Sequence, residues 1–303
     1  MSGRWKTWER RARDFFASLA IGFLIRSIRR VDYAIASAWG ARLGRLAYRL
    51  AWIHRRRSLE NLTRAFGEEK TPDQLEKLAR AFFDGFLRNA AEVVPYGSLP
   101  PEGKREYVRI VGKEKLDKAL APGRGVIALS AHLGNFLIMN SRLALEGVPV
   151  DLLVKQMKDP GVEDRMENLR RELGYNTIYT KSRIQSARAS LASLRGNHVL
   201  VVLGDQRPKD GVDVTFFGMP AKAASGPISL ALSTGAPVVP MFMVRNEDHI
   251  HHTLFIEDSI EMSITGSKEH DLRTNVQKYT DVIESYVRRY PGQWMWGHKR
   301  WAR

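Results

Sequence analysis

The stretch Ser130-Ala-His-Leu-Gly-Asn-Phe136 contains a histidine, a glycine two residues later, and the polar residues serine and asparagine. An apolar run ends at Ser130 and a helical pattern begins after the glycine, so His132 is predicted to follow a strand. Because free imidazole has a pKa of about 6.5, a histidine there can take a proton from a hydroxyl group at neutral pH. Gly134 would let substrate or backbone approach closely. His132 is a candidate general base; the alternative is that it caps the helix or bonds a loop carbonyl.

The elements around this stretch predict an α/β fold with a mixed, mainly parallel, twisted sheet flanked by helices, because strand-like runs alternate with helical ones. Predicted strands cover residues 126–130, 148–154, 176–179, 199–203, 212–217, 237–244 and 253–256. Predicted helices cover residues 72–94, 135–146, 162–173, 184–194, 226–233 and 270–289, with Pro95 ending the first. In such sheets ligands gather at the carboxyl ends of strands, so the loops after Ser130, Leu203 and Phe217 are expected to form the site.

Other cofactor and metal chemistries lack their motifs. The sequence has no cysteine, no Gly-x-Ser-x-Gly elbow, no phosphate loop ending in Lys-Ser/Thr and no His-Glu-x-x-His. His249, His251 and His252 could suggest a metal, but the stretch resembles a hairpin turn and offers no obvious third ligand. We expect neither a metal nor a cofactor.

The positive charge is concentrated at the amino terminus. Residues 1–57 carry 14 basic and 3 acidic side chains, so +11 of the net +15 lies in this arm. An uncharged run of 11 residues, 15–25, is too short to span a bilayer, and arginines follow it directly. Residues 31–53 predict an amphipathic helix with Arg42, Arg45 and Arg49 among Trp and Leu. The pattern favours an anionic membrane surface over nucleic acid; the alternative is an apolar stripe packed on the domain.

Motifs along nearly the whole chain resemble the late acyltransferases of lipid A biosynthesis, within the lysophospholipid acyltransferase-like superfamily. That family also includes mannoside acyltransferases of glycolipid synthesis. The matching stretches begin at Arg57, Ala131, Gly204, Val214, Gly226, Thr234 and Gln293, and read RSLENLTRAF, AHLGNF, GDQ, VTFFGMPA, GP, TGAPVVP and QWMWGHKRW.

The resemblance implies transfer of an acyl chain from a thioester of acyl carrier protein or coenzyme A, with no cofactor, to a hydroxyl of a membrane glycolipid. His132 would be the general base and a lipid A-type precursor the acceptor. The location implied is the cytoplasmic face of the bacterial inner membrane, peripheral or with one N-terminal anchor. We divide the chain into a membrane-associating arm, 1–57, and an acyltransferase-like α/β domain, 58–303.

The sequence departs from the family at one position. The family pattern places Asp or Glu five residues after the histidine, where it orients the imidazole, but this chain has Leu137. Asp205 follows the predicted strand 199–203 and should lie on the same rim as His132, so it is our candidate to replace the missing acid. The alternative is that Asp205 caps a turn or pairs with Arg207. A protein without the acid could also be a catalytically silent homologue that binds lipid or carrier protein.

Further substrate-binding residues follow from the resemblance. Gly134, Asn135 and Gln206 belong to matching motifs. Lys155 and Arg207 could neutralise phosphates of the acceptor or of pantetheine, or could be solvated charges. By analogy, Gly218 would shape the acyl channel and the Gly226 turn would supply amides for the oxyanion.

Overall fold

The structure is a computed structural model that describes residues 26–157 and 159–301. The predicted apolar run 15–25 lies outside the described residues. Within the described ranges, every helix is too short or too polar to cross a lipid bilayer.

Three helices precede the sheet: α1 (Tyr33–Leu50), α2 (Trp52–Phe66) and α3 (Pro72–Ser98). The helix predicted over 31–53 breaks at Ala51, which has a non-helical backbone. The boundary after residue 57 therefore falls inside α2. α1 packs closely on α3, because added Cβ atoms at Gly40 and Gly44 would lie 2.7 and 2.5 Å from the backbone oxygens of Leu87 and Phe83.

Pro95 does not end α3, contrary to the prediction. The helix continues to Ser98. Tyr96, the residue after the proline, is fully buried, and its hydroxyl donates to the Lys104 carbonyl (3.2 Å). A proline removes one backbone donor, but packing of the following turn holds the helix together. The start of α3 follows its sequence, since Thr71 and Gln74 form a capping box.

In the remaining chain every predicted helix and strand is present, and two helices and two strands are added that the sequence did not predict. The helices are α4 (Pro101–Tyr107), α5 (Lys113–Leu120), α6 (Phe136–Ala144), α7 (Pro160–Glu172), α8 (Arg183–Arg195), α9 (Gly226–Thr234) and α10 (Lys268–Arg289), followed by a 3₁₀ turn, Pro291–Gln293. The strands are β1 (Val108–Val111), β2 (Val126–Ser130), β3 (Val150–Val154), β4 (Asn176–Tyr179), β5 (Val199–Leu203), β6 (Val212–Phe216), β7 (Met219–Ala223), β8 (Val238–Arg245) and β9 (His252–Ile256). The added elements are α4, α5, β1 and β7.

Seven strands form one mixed sheet in the order β1-β9-β8-β2-β5-β3-β4. Its neighbours pair in parallel except β8 and β9, which are antiparallel, so the predicted fold class is confirmed. β6 and β7 form a separate two-stranded hairpin. β2 is buried along its whole length, as expected for a central parallel strand with helices on both faces. This central position fixes the direction in which the loop after Ser130 leaves the sheet.

Candidate active site

The two loops that carry the main site residues leave adjacent parallel strands at the same edge. Ser130 of β2 is in register with Leu203 of β5, and the Gly204 N–H donates to the Ser130 carbonyl (2.8 Å). His132 and Asp205 each stand two residues beyond these paired positions. The strand pairing therefore brings together two residues that are 73 positions apart in the chain.

His132 and Asp205 form a hydrogen-bonded pair. The distance from His132 Nδ1 to Asp205 Oδ1 is 2.8 Å, and the backbone N–H of His132 donates to Asp205 Oδ2 (3.0 Å). An ionised carboxylate only accepts hydrogen bonds, so the Nδ1–H donates and Nε2 of the neutral ring keeps its lone pair. The sequence-based expectation that Asp205 lies within reach of the imidazole agrees with this geometry.

Asp205 is held as a carboxylate in a fully buried position. Burial alone raises its pKa, but the facing His132 ring, the His132 N–H groups and nearby His298 outweigh burial and leave the pKa well below its usual range. Trp294 adds a hydrogen bond from its indole N–H to Asp205 Oδ2 (2.8 Å). The pair thus consists of a fixed anion behind an imidazole whose side chain is 16% exposed.

Gln206 occupies the outer side of the imidazole. Its Nε2 lies 3.2 Å from His132 Nε2, so the amide donates to the ring nitrogen that would accept a proton. The Gln206 side chain is otherwise exposed. A substrate hydroxyl in place of this amide would donate to the same lone pair on His132 Nε2. The Gln206 amide therefore occupies the position where a substrate hydroxyl would bind.

The His132 loop is fixed from several sides. Gly134 has φ +55°, and a Cβ there would lie 1.9 Å from the Met243 carbonyl oxygen. The Gly134 N–H donates to the Gln293 carbonyl (3.0 Å), and the Met295 N–H donates to the His132 carbonyl (3.0 Å). Gly134 therefore permits a close approach of protein backbone, one of the two possibilities that its sequence allowed.

A buried polar cluster lies beneath this loop and consists of Asn89, Glu92, Asn135, Arg245 and His252. Asn89 Nδ2 donates to the Gly134 carbonyl, Asn135 Nδ2 donates to Glu92 Oε2, and Arg245 forms two bonds to the Glu92 carboxylate, each at 2.7 Å. Burial raises the pKa of Glu92, but bonds from His252 and Arg245 lower it overall to about 2. The cluster places an ionised, fully paired carboxylate under the loop.

Asn135 belongs to this cluster and not to a substrate surface. We expected it to bind substrate, but its side chain is fully buried and contacts α3. Asn89 and Glu92 lie more than 40 residues upstream of Asn135, so the order of residues alone does not predict this contact. Their spacing of three, which places both on one face of a mostly apolar helix, was the available signal.

His132 opens into a cleft of about 610 Å³. Its lining includes the apolar side chains of Phe82, Phe86 and Phe136, and the Phe136 ring makes an edge contact with the His132 ring at 4.8 Å between centroids. The lining also includes polar and basic residues, with Arg109, Asn246 and Arg289 among them. A cleft of this size with a mixed lining suits a substrate that has both an apolar chain and a polar head.

The other predicted site residues do not line this cleft. Lys155 and Arg207 are exposed and follow β3 and β5 at the same sheet edge, outside the lining. Gly218 has φ +69° and lies in the turn between β6 and β7, and Gly226 is the first residue of α9. Leu137 is half-buried and packs with the apolar cluster of Ile138 and Leu143. In the described part of the chain, no group of three or more acidic or histidine side chains is arranged to hold a metal ion.

Comparisons with known proteins give the site a family. The family model described as bacterial lipid A biosynthesis acyltransferase matches residues 5–303. The phosphatidylinositol mannoside acyltransferase of Mycobacterium tuberculosis is 28% identical over 231 residues, covering 69% of this chain and 71% of that protein. Its counterpart in Mycolicibacterium smegmatis is 23% identical over 250 residues, covering 80% and 77%.

A relative from a different lipid pathway matches as well. Lipid A biosynthesis acyltransferase 2 of Shigella flexneri is 24% identical over 260 residues, covering 84% of this chain and 80% of the relative. The resemblance found in the motifs is thus confirmed over almost the full length. The chain belongs to the bacterial lipid A biosynthesis acyltransferase family and is an acyltransferase.

Proposed function

We propose that the protein transfers a fatty acyl chain from an acyl thioester, on acyl carrier protein or coenzyme A, to a hydroxyl group of a membrane glycolipid, with His132 as general base. The observation that carries this proposal is the His132–Asp205 pair at the mouth of the cleft, in a chain of an acyltransferase family. Its first acceptor class is a lipid A-type precursor. The mycobacterial relatives support a mannosylated phospholipid as a second class to test.

The geometry supports a direct transfer. The acceptor hydroxyl takes the place of the Gln206 amide and gives its proton to His132 Nε2 while its oxygen attacks the thioester carbonyl. The C–S bond then breaks, and the imidazolium returns the proton to the departing thiolate. Asp205 stabilises the imidazolium and keeps its tautomer. α6 begins beside His132 with no capping side chain, so its N-terminal amides are the oxyanion donors of this proposal.

The acceptor would be reached at the membrane surface. One face of α1 and the start of α2, here the exposed apolar face, carries large apolar side chains that are each about half exposed or more: Ile35, Trp39, Leu43, Leu46, Leu50, Trp52 and Ile53. Arg42, Arg45 and Arg49 stand on the same helix. An apolar face with adjacent cations suits the headgroup region of an anionic bilayer. We place the protein at the cytoplasmic face of the bacterial inner membrane.

The transfer reaction is tested by mass spectrometry of total lipids from cells that lack the protein or express the chain, the His132→Ala variant or the His198→Ala variant. We expect a glycolipid heavier by one acyl unit with the chain and with His198→Ala, and none with His132→Ala. His198 is the matched control because it also bonds an aspartate. Identical lipids in all four samples would contradict the transfer reaction and support the silent binding homologue.

Membrane association is tested by sedimentation with vesicles of phosphatidylglycerol and phosphatidylcholine. We expect Trp39→Ser/Leu43→Ser to reduce the bound fraction several-fold, because both side chains lie on the exposed apolar face. Ile184→Ser on α8 is the matched control, since Ile184 is also more than half exposed and has arginines near it but lies on a different helix from the exposed apolar face. Equal binding of all three proteins would contradict the assignment of this face.

A further inference from the structure

The arginines of the cleft fall into two groups. Four arginines line it, and two of them are neutralised: Arg88 by Asp84 (3.2 Å) and Arg245 by Glu92 (2.7 Å). The other two, Arg109 and Arg289, have no carboxylate partner among residues 26–157 and 159–301. The cleft that contains His132 therefore has two uncompensated guanidinium groups.

These two arginines both lie beside strand β9. Arg109 is exposed on β1 and is in register with Thr253 of β9. Arg289 ends α10, and its guanidinium carbon lies 5.7 Å from the centre of the Phe255 ring. Thr253 and Phe255 are two residues apart on β9, so they point to the same sheet face about 6.6 Å apart. Arg109 beside Thr253 and the Arg289 guanidinium near Phe255 therefore line the same cleft at this face of the sheet.

Arg289 is also held in place. Its guanidinium carbon lies 5.2 Å from the centre of the Tyr290 ring as well as over Phe255. Contact with two aromatic rings restricts the side chain and stabilises its charge. Glu247, in the turn after β8, also lines the cleft, but it forms no ion pair with Arg109 or Arg289, so their charges are not paired within the described residues.

We infer that Arg109 and Arg289 form a subsite for a phosphate group of the substrate, which holds the polar head while His132 faces the reacting hydroxyl. Two forked guanidinium groups offer two charges and paired N–H donors, which match the oxygens of a phosphate ester. This inference rests on the proposed function. The phosphate belongs either to the glycolipid acceptor or to the carrier of the thioester, since both contain one.

The experiment compares the kinetics of the full chain, Arg109→Gln, Arg289→Gln and the double variant. Two acceptors are used, a phosphatidylinositol mannoside and a phosphate-free mannosyl diacylglycerol. Two donors are used, palmitoyl-coenzyme A and the phosphate-free palmitoyl N-acetylcysteamine thioester. The matched control is Arg183→Gln/Arg188→Gln, which removes two exposed charges from α8, outside the cleft lining.

We expect each substitution to raise the KM of the phosphate-bearing substrate about 10-fold with kcat unchanged, as for loss of a hydrogen bond to a charged group. A rise confined to the phosphorylated acceptor assigns the subsite to the acceptor; a rise confined to the coenzyme A thioester assigns it to the donor. Equal rises for phosphate-free substrates, no rise, or the same effect in the α8 control would overturn the inference.

A binding measurement separates this inference from the proposed reaction. Equilibrium binding of coenzyme A and of phosphatidylinositol mannoside is measured on His132→Ala and on His132→Ala with both Arg→Gln substitutions. Weaker binding in the second protein supports the subsite even where no acyl transfer is detected. Equal affinities, or no binding of either probe, overturn it even where transfer occurs. Arg289 at a helix end could serve the helix dipole instead, and then the melting temperature would fall without a change in these affinities.

Discussion

Two His–Asp pairs stand at opposite ends of the same sheet. His132 and Asp205 are joined at 2.8 Å beyond the carboxyl ends of β2 and β5, whereas His198 and Asp151 are joined at 2.7 Å near the amino ends of β5 and β3. Both contacts use Nδ1 of the histidine and a carboxylate oxygen. A short His–Asp distance is therefore not what distinguishes the candidate active site.

The surroundings of the two pairs differ. His132 lines the cleft, and its Nε2 faces the exposed Gln206 amide (3.2 Å). Nε2 of His198 instead lies close against Gly196, where an added Cβ would be 3.0 Å away. His132 lines the cleft of the candidate site, and His198 does not. Parallel strands open their ligand-binding crevice at the carboxyl edge, so the same pair is placed for chemistry at one end and for stability at the other.

Substituting the aspartate of each pair is expected to give the largest difference in kcat between the two pairs. We expect Asp205→Asn to lower kcat by about 10⁴, because the amide no longer holds the tautomer with a free Nε2, as in comparable triads. Asp151→Asn should leave kcat within a few-fold. Steady-state kinetics of both purified variants, with circular dichroism to show that they fold, makes the comparison. A loss of activity in Asp151→Asn as large as in Asp205→Asn would remove the distinction between the pairs.

The backbone beneath His132 gives the next effect. Gly134→Ala would put a Cβ 1.9 Å from the Met243 carbonyl, so the loop must move, and a shift of about 1 Å costs about 10²-fold in kcat. The control is Gly123→Ala, since Gly123 also has positive φ (+71°) but has no atom within 4 Å of an added Cβ. We expect Gly123→Ala to lower stability by about 1 kcal/mol without changing kcat. Equal kcat values for both variants would contradict the role given to the Gly134 contact.

Sequence reasoning found the parts of the site that depend on local rules. The buried runs of β2 and β5 fixed which loops meet, and the strand-end rule then placed Asp205 near His132. Two strands escaped prediction. β1 has only four residues, and β7 (Met219–Ala223) contains a proline and two alanines, which have low β-propensity. β7 forms because Phe217 and Gly218 adopt positive φ and reverse the chain onto β6.

The buried residues that hold the His132 loop could not be predicted from the sequence by such local rules. Asn89 and Glu92 reach the His132 loop from α3, and Arg245 at the end of β8 pairs with Glu92 across 153 residues of sequence. No local pattern encodes which helix face packs against which loop. Gly218 and Gly226 were expected to bind substrate only by analogy with the family motifs. In the structure Gly218 lies in a hairpin turn and Gly226 begins a helix.

Restoring the acid of the family pattern has a smaller expected effect. Leu137 packs in an apolar cluster and does not line the cleft, while Asp205 already binds Nδ1 of His132. We therefore expect Leu137→Glu to leave kcat within a few-fold of the parent and to lower stability by about 1–3 kcal/mol, the cost of burying a polar group without a partner. Kinetics and urea unfolding measure the two quantities, with Leu137→Met as the matched control. A tenfold increase in kcat would show that Asp205 does not replace the missing acid.

The smallest expected effect, on the pH dependence of the free energy of unfolding, should be similar for the two pairs. Burial raises the pKa of Asp205 and of Asp151, but hydrogen bonds and facing histidines outweigh it and leave both pKa values below the usual range. In acid the unfolded chain then binds more protons than the folded one, so the free energy of unfolding falls as the pH drops below about 4. We expect each Asp→Asn variant to flatten this decline by at most about 1.4 kcal/mol per pH unit. Urea unfolding between pH 6 and pH 3 tests this. Flattening in Asp205→Asn alone would contradict the similar stabilising role of the two pairs. Flattening in both variants with loss of kcat only in Asp205→Asn would show that the two pairs share a role in folding but not in catalysis.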